Sequence, residues 1–373
     1  MKILLVSVVD INRFPPIRTL LQNMLRNGHQ VCVISNGTIS PDEFPGDLEY
    51  IQLFENTSVG PKYQILLDFF RKRRMLRKLV RKLAPSYDVV WTTTDTAVRE
   101  VGGALGNAKH VMQLMELIEW LPWIPQTKTP KYPIAAAARK AVAVVVPEYN
   151  RAHIQKAWWQ LQDLPFILPN KPNLVTDFSL SNEEELLFSQ LKAEKRKIVL
   201  YQGVLYSDRN IAAFARAFQE VSDEYCFCVM SRDGEERRAL CKEYPHITWI
   251  PFVNPPNHLA FTSLAHIGLT PYLGGTTFKH YSVLNALYCA PNKTFEYAAF
   301  KVPMLGTDVP GLDGLFRQYR IGVCCKDFEV SSILSALREI ESHHSEFSEN
   351  CRNYFDSVDL EAILNQILTK VIV

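Results

Sequence analysis

The chain has 373 residues, 47% of them hydrophobic and 21% charged, with a net charge of +2. That length accommodates two domains, the composition is ordinary for a soluble α/β enzyme, and so small a charge excludes a global polyanion partner. No apolar run reaches the length of a membrane span, and the eight cysteines show no zinc spacing.

Residues 1–9 are a short apolar run without a small-residue cleavage site, so they read as a first buried strand and not a signal peptide. Further strands are expected at 30–35, 49–53, 88–92, 110–114 and 143–146. Several are continuously apolar, which fits a parallel sheet covered on both faces by intervening helices. Gly28 marks the end of the first helix.

Residues 65–83 form a basic amphipathic helix. Leu66, Phe69, Leu76, Leu79, Val80 and Leu83 make one stripe. Arg71, Arg74, Arg77, Lys78 and Arg81 lie broadly opposite, and Lys72 and Arg73 interrupt the stripe. Part of the stripe must cover the sheet. The cationic face is either solvated or set against anionic lipid, at roughly 1 kcal/mol per cation. Nucleic acid is not expected, because no aromatic residues interleave the basic run. The loop 120–125, with Trp120 and Trp123, reads either as an interfacial or acceptor-binding loop or as buried structure.

Ligands of doubly wound sheets collect at the carboxyl ends of strands. That selects Asp10, Asn12, Asp95, Glu116 and Glu148 in this half, with Glu116 and Asp95 the candidates for a general base. Glu119 reads as a solvated charge, and His110 starts its strand at the wrong end for chemistry.

The proline-rich stretch 165–173 reads as an extended connector, which places a boundary at 172/173. A second unit then runs over 173–345, with strands at 197–203, 225–230, 247–251, 267–271, 302–305 and 321–323. Cys226 and Cys228 share one face of a strand, and all the cysteines read as buried thiols of a reducing compartment. Gly203, after the first of these strands, permits an unusual backbone angle or a close ligand approach. Arg209 follows near a helix start, where a guanidinium can grip phosphate oxygens. Alone, that pair reads as a plain turn. The loop 271–277, with Gly274 and Gly275, is either phosphate-binding or an ordinary turn.

The segment 285–303 carries the densest signal. Pro291 suits a first helical turn, and Lys293 and Glu296, three residues apart, share a helix face. A helix N-terminus with a cation attracts a diphosphate, and a carboxylate beside it can accept both ribose hydroxyls. Residues 346–373 end in a helical segment at 360–369.

The pattern Asn285-x-x-Tyr288-x-x-Pro291-Asn292-Lys293-x-x-Glu296-Tyr297, followed by a strand with Pro303, resembles the donor motif of GT-B glycosyltransferases. It is similar in particular to the nucleotide-sugar-dependent, retaining branch that builds bacterial capsules, O-antigens and exopolysaccharides. The resemblance implies two Rossmann-like doubly wound α/β domains facing across a cleft, with the last helix crossing back onto the first. It implies Lys293 on the donor diphosphate and Glu296 on the ribose. Asn292, Tyr288 and Asn285 would lie beside the donor, with Gly203 and Arg209 in the facing loop. Asn285 and Tyr288 read equally well as a capped helix packed into the core. Residues 231–234 and Phe252-Val253 would lie near the base, and Asp308 to Gly311 at the sugar or in a turn.

The expected activity is a metal-independent, hexosyltransferase-like transfer from a UDP- or GDP-sugar, needing no cofactor, to a glycan or lipid-linked acceptor. The expected location is cytoplasmic, on the inner face of the cell membrane. The alternatives are a sugar-nucleotide epimerase or hydrolase of the same fold, or a catalytically silent scaffold docked on the membrane. Two departures from the family stand out. Phe300 replaces a usual glycine, and residues 10–16 replace a usual Gly-Gly loop, where Arg13 or Arg18 can substitute.

Overall fold

The computed structural model describes residues 1–39, 43–53, 61–125, 127, 129–205, 209, 211–273 and 282–372, without the side chains of Arg13 and Lys62. Among the described residues the chain divides into two compact units, residues 1–169 with 282 and 359–372, and residues 170–273 with 283–358.

The first unit runs β1 (Lys2–Asp10), α1 (Pro15–Arg26), β2 (Gln30–Asn36), β3 (Leu48–Gln52), α2 (Lys62–Leu83), β4 (Val89–Thr92) and α3 (Asp95–Val101). It continues with β5 (His110–Gln113), β6 (Leu121–Pro122), β7 (Lys131–Tyr132), α4 (Ile134–Lys140), β8 (Ala143–Val146), α5 (Tyr149–Trp159) and β9 (Phe166–Ile167). Its parallel sheet has the order β3-β2-β1-β4-β5-β8-β9. The order reverses between β1 and β4, the topological switch point. Ile3, Leu4, Leu5 and Val6 of β1 are fully buried, as a strand covered on both faces requires.

The stretch read as a connector from residue 165 begins with a strand. Phe166 and Ile167 pair with Val145 and Val146 at the sheet edge, where neighbouring prolines are tolerated. Loop 120–125 contributes β6, which pairs antiparallel with β7.

The second unit runs α6 (Asn182–Lys192), β10 (Lys197–Gln202), α7 (Ile211–Glu220), β11 (Tyr225–Met230), α8 (Glu235–Glu243), β12 (Thr248–Ile250) and α9 (His258–Thr262). Then come β13 (Ile267–Thr270), α10 (Leu284–Leu287), α11 (Asn292–Ala299), β14 (Met304–Thr307), α12 (Pro310–Tyr319), β15 (Gly322–Cys325), α13 (Val330–Ser342) and α14 (His344–Asp356). The parallel order is β12-β11-β10-β13-β14-β15, with its switch point between β10 and β13. The acidic start of α6 is a capping box in which Ser181 and Glu184 satisfy each other's backbone N–H.

The expected boundaries move. α14 belongs to the second unit, because Phe347, Cys351, Tyr354 and Phe355 are buried in its cores. Only α15 (Leu360–Ile372) belongs to the first. There Leu364, Ile367, Leu368 and Val371 join Ile3, Leu5, Val31 and Val145 in one apolar cluster. Lys109 Nζ donates to the Val371 carbonyl at 2.5 Å, and Lys370 pairs with Asp163 at 3.2 Å. All eight cysteines are free thiols. Six are buried, as expected, but Cys241 and Cys324 are only partly so.

Candidate functional site

The site is assembled at the switch point of the second unit. α11 sits close over β10 and β13 because Gly268 leaves room for it. A Cβ there would lie 2.4 Å from the Tyr297 ring. Tyr297 is fully buried and its hydroxyl donates to the Leu200 carbonyl at 2.7 Å. This anchor fixes the helix phase and turns Lys293 and Glu296 toward the carboxyl end of β10.

Lys293 lies against Gly203. A Cβ at Gly203 would be 2.9 Å from both Cε and Nζ of Lys293, and Gly203 also has φ +141°, a conformation costly for other residues. The ammonium sits 5.9 Å from the Tyr201 ring centroid, at the edge of cation–π range. Pro291 caps α11 without a side-chain hydrogen bond, so the positive end of the helix dipole is not covered by a capping side chain.

Glu296 is 5% exposed. Gln202 Nε2 donates to its Oε2 at 2.6 Å, and His258 Nε2 lies 3.4 Å from its Oε1. Thr262 Oγ1 donates to Gln202 Oε1 at 2.7 Å, which turns the amide NH₂ toward Glu296. Burial opposes ionisation of the carboxyl. The His258 charge and hydrogen bond, the Lys293 charge and the Gln202 bond outweigh it and hold Glu296 below the usual carboxylate range. Gln202, His258 and Thr262 have no marker in the sequence. They meet only because β10, α9 and α11 pack together.

Arg209 lies 3.8 Å above the Tyr272 ring, beyond the end of β13. Tyr272 is pinned by two backbone bonds to Thr307 Oγ1, at 2.8 and 2.6 Å. The structure therefore places both expected cations, Arg209 and Lys293, at the carboxyl edge of this sheet. Asn292 opens α11, Asn285 lies in α10, and the half-buried Tyr288 ends α10. Gly311 lets α12 approach that turn. A Cβ there would be 2.8 Å from the Cys289 nitrogen. Arg232 stacks on Phe252 at 4.3 Å, beyond β11 and β12, while Val253 is buried. Gly274, Gly275 and the rest of 274–277 lie outside the described residues.

Phe300 leaves the backbone unstrained, because the left-handed residue of that turn is Lys301, with φ +60°. Val302 N then bonds to the Tyr297 carbonyl at 3.1 Å. Phe300 itself packs 6.5 Å from Phe178.

In the first unit, Asp95 and Glu116 are electrostatic neighbours. Burial first, and then the Glu116 charge, push the Asp95 carboxyl up to about 6. Glu148 is the N-cap of α5, accepting from the nitrogens of Asn150 and Arg151 at 2.9 Å each. Asp10 caps its own turn by accepting from Asn12 N at 3.1 Å. Arg18 bonds to Asn12 and pairs with Glu43. These residues hold the 10–16 segment in place.

α2 departs from its expected face. Arg73 is 7% exposed, 3.1 Å from Glu100, and donates to the Arg99 carbonyl at 3.1 Å. Arg77 donates to the Glu100 carbonyl at 2.9 Å. Both cations serve the C-terminal turn of α3, where the helix dipole is negative. Leu66 of the expected stripe is exposed, while Leu76 and Val80 are buried. Among the described residues no helix is long and apolar enough to cross a membrane.

No protein-family model and no curated protein matches the chain. Solved structures do. Sucrose-phosphate synthase from Thermosynechococcus elongatus superposes with TM-score 0.69 at 15% identity, over 99% of this chain and 98% of that one. Anabaena HepE in complex with UDP and glucose gives 0.67 at 11%, over 100% and 99%. A putative UDP-N-acetylglucosamine 2-epimerase from Listeria monocytogenes gives 0.60 at 9%, over 94% and 90%. At these identities the likeness is one of fold, and across nearly its whole length the chain has the two-domain Rossmann-like GT-B architecture.

Proposed function

We propose that this chain is a metal-independent glycosyltransferase. It would move a sugar from a UDP- or GDP-linked donor to a glycan or lipid-linked acceptor in surface polysaccharide assembly. The observation that carries the reading is the placement of Lys293 against Gly203, with ionised Glu296 one helical turn on, at a switch point. Lys293, Arg209 and the start of α11 supply positive charge for a diphosphate. Each Glu296 oxygen keeps a second lone-pair direction for a ribose hydroxyl. In a retaining transfer the bond from anomeric carbon to phosphate oxygen breaks as the acceptor oxygen bonds to that carbon. The acceptor proton passes to the departing phosphate, so no protein base is required. Asp95 and Glu116 then serve to orient the acceptor. The exposed face of α2 holds the protein on the inner surface of the cell membrane.

Calorimetry with UDP and GDP tests the donor site. Lys293→Ala and Glu296→Gln should each weaken the preferred nucleotide roughly tenfold or more, the range of a lost charge-assisted hydrogen bond. Unchanged affinity in both variants sinks the assignment. Donor turnover in the absence of any acceptor would instead favour the epimerase or hydrolase reading, for which the Listeria likeness is the support. Donor binding with no turnover under either condition favours the scaffold.

A further inference from the structure

We propose that Gln202, His258 and Thr262 are positioning residues that make the Glu296 carboxylate read both ribose hydroxyls, so that the donor is a ribonucleotide sugar and 2′-deoxyribonucleotide sugars are refused. This rests on the transferase reading above and narrows its donor class.

An ionised carboxylate offers about four acceptor directions. Among the described residues Glu296 has one close polar contact on each oxygen: Gln202 Nε2 donates to Oε2 at 2.6 Å, and His258 Nε2 lies 3.4 Å from Oε1. Each oxygen therefore keeps one direction to fill, and the residue is too buried for bulk water to fill both. A ribose brings two adjacent hydroxyls, one for each oxygen. A 2′-deoxyribose brings one, and sets a methylene where the other oxygen needs a donor. A charged acceptor left buried and unmatched is costly, and a site built around a substrate hydroxyl rejects the analogue that lacks it.

The supporting side chains are committed to this geometry. Gln202 and Thr262 are 3% and 0% exposed. Thr262 Oγ1 donates to Gln202 Oε1 at 2.7 Å, while its other acceptor, the His258 carbonyl, is farther off at 3.2 Å. With the oxygen end of the amide held, the NH₂ end faces the carboxylate. His258 Nδ1 is buried with no hydrogen-bond partner among the described residues, so no second bond turns the ring away from Glu296. Gln202 ends β10, and His258 and Thr262 lie one turn apart on α9, so the carboxylate on α11 is held from two other elements.

The test measures UDP, GDP, their 2′-deoxy counterparts and inorganic diphosphate against the full chain by calorimetry. The wild type should prefer the ribonucleotide at least tenfold. Thr262→Val, Gln202→Met and His258→Phe should each cut that preference to about threefold or less by weakening the ribonucleotide, with deoxynucleotide and diphosphate affinities unchanged. Thr262→Ser keeps the hydroxyl and should keep the preference. A merely structural role would weaken all the ligands together. Equal wild-type affinity for ribonucleotide and deoxynucleotide overturns the proposal and leaves the donor site standing. An unaltered preference in all three variants, or uniform weakening of every ligand, overturns it as well. Absence of both UDP and GDP binding strikes the transferase reading itself, and this inference falls with it.

Discussion

Single side chains set both the geometry of the candidate site and the pH behaviour of the protein. Gly203 is needed because Lys293 occupies the space a Cβ would take. His110 acts through burial. It is 4% exposed, bonded to Thr92 Oγ1 at 2.9 Å, and desolvation pulls its imidazole down to about 4. The unfolded chain therefore takes up a proton below about pH 6.5 that the native state refuses until about pH 4. Stability from this source is complete above pH 6.5 and declines toward pH 4. Urea denaturation at pH 7 and 4.5 should show His110→Gln losing about 2–3 kcal/mol less than wild type over that interval. Equal losses would refute the burial argument. At this scale Lys293 and Glu296 were readable, because their spacing puts them on one helix face by itself. Gln202, His258 and Thr262 were not. Each is an ordinary polar residue until three separate elements bring them around one carboxylate.

Elements were legible where a period marked them. The runs that became β1, β2, β4 and β8 stood out by continuous burial, and α2 by its stripe. Two-residue β9 was hidden among prolines, since a strand so short carries no period. The orientation of α2 was hidden for a different reason: the partners of Arg73 and Arg77 are carbonyls of α3, and backbone leaves no trace in sequence. Only part of the basic run is therefore available to lipid. Replacing exposed Arg71, Arg74, Lys78 and Arg81 by Gln should reduce binding to anionic vesicles by roughly 1 kcal/mol per cation, with binding to neutral vesicles unaffected. Arg73→Gln should instead lower the melting temperature. Vesicle sedimentation decides between them, and undiminished binding of the fourfold variant rules out α2 as the anchor.

The two-unit layout was visible as alternating strand and helix patterns, but the ownership of the last helices was not. α14 and α15 carry similar apolar periods, and only tertiary contact assigns them to different units. Ile367 of α15 is fully buried against the first sheet. Ile367→Ala should cost that unit about 2–5 kcal/mol. Hydrogen exchange should accelerate in β1 and β2 and stay unchanged in β10 and β11; uniform acceleration would contradict the division. The return of α15 also orders events at the ribosome. The first unit emerges early, yet the helix that covers Ile3, Leu5 and Val31 is translated only after the whole second unit. At about 5–20 residues per second, that leaves an apolar face of the nascent chain uncovered for roughly 10–40 s. The unit begun first is finished last, and during that interval it is a natural client for a chaperone.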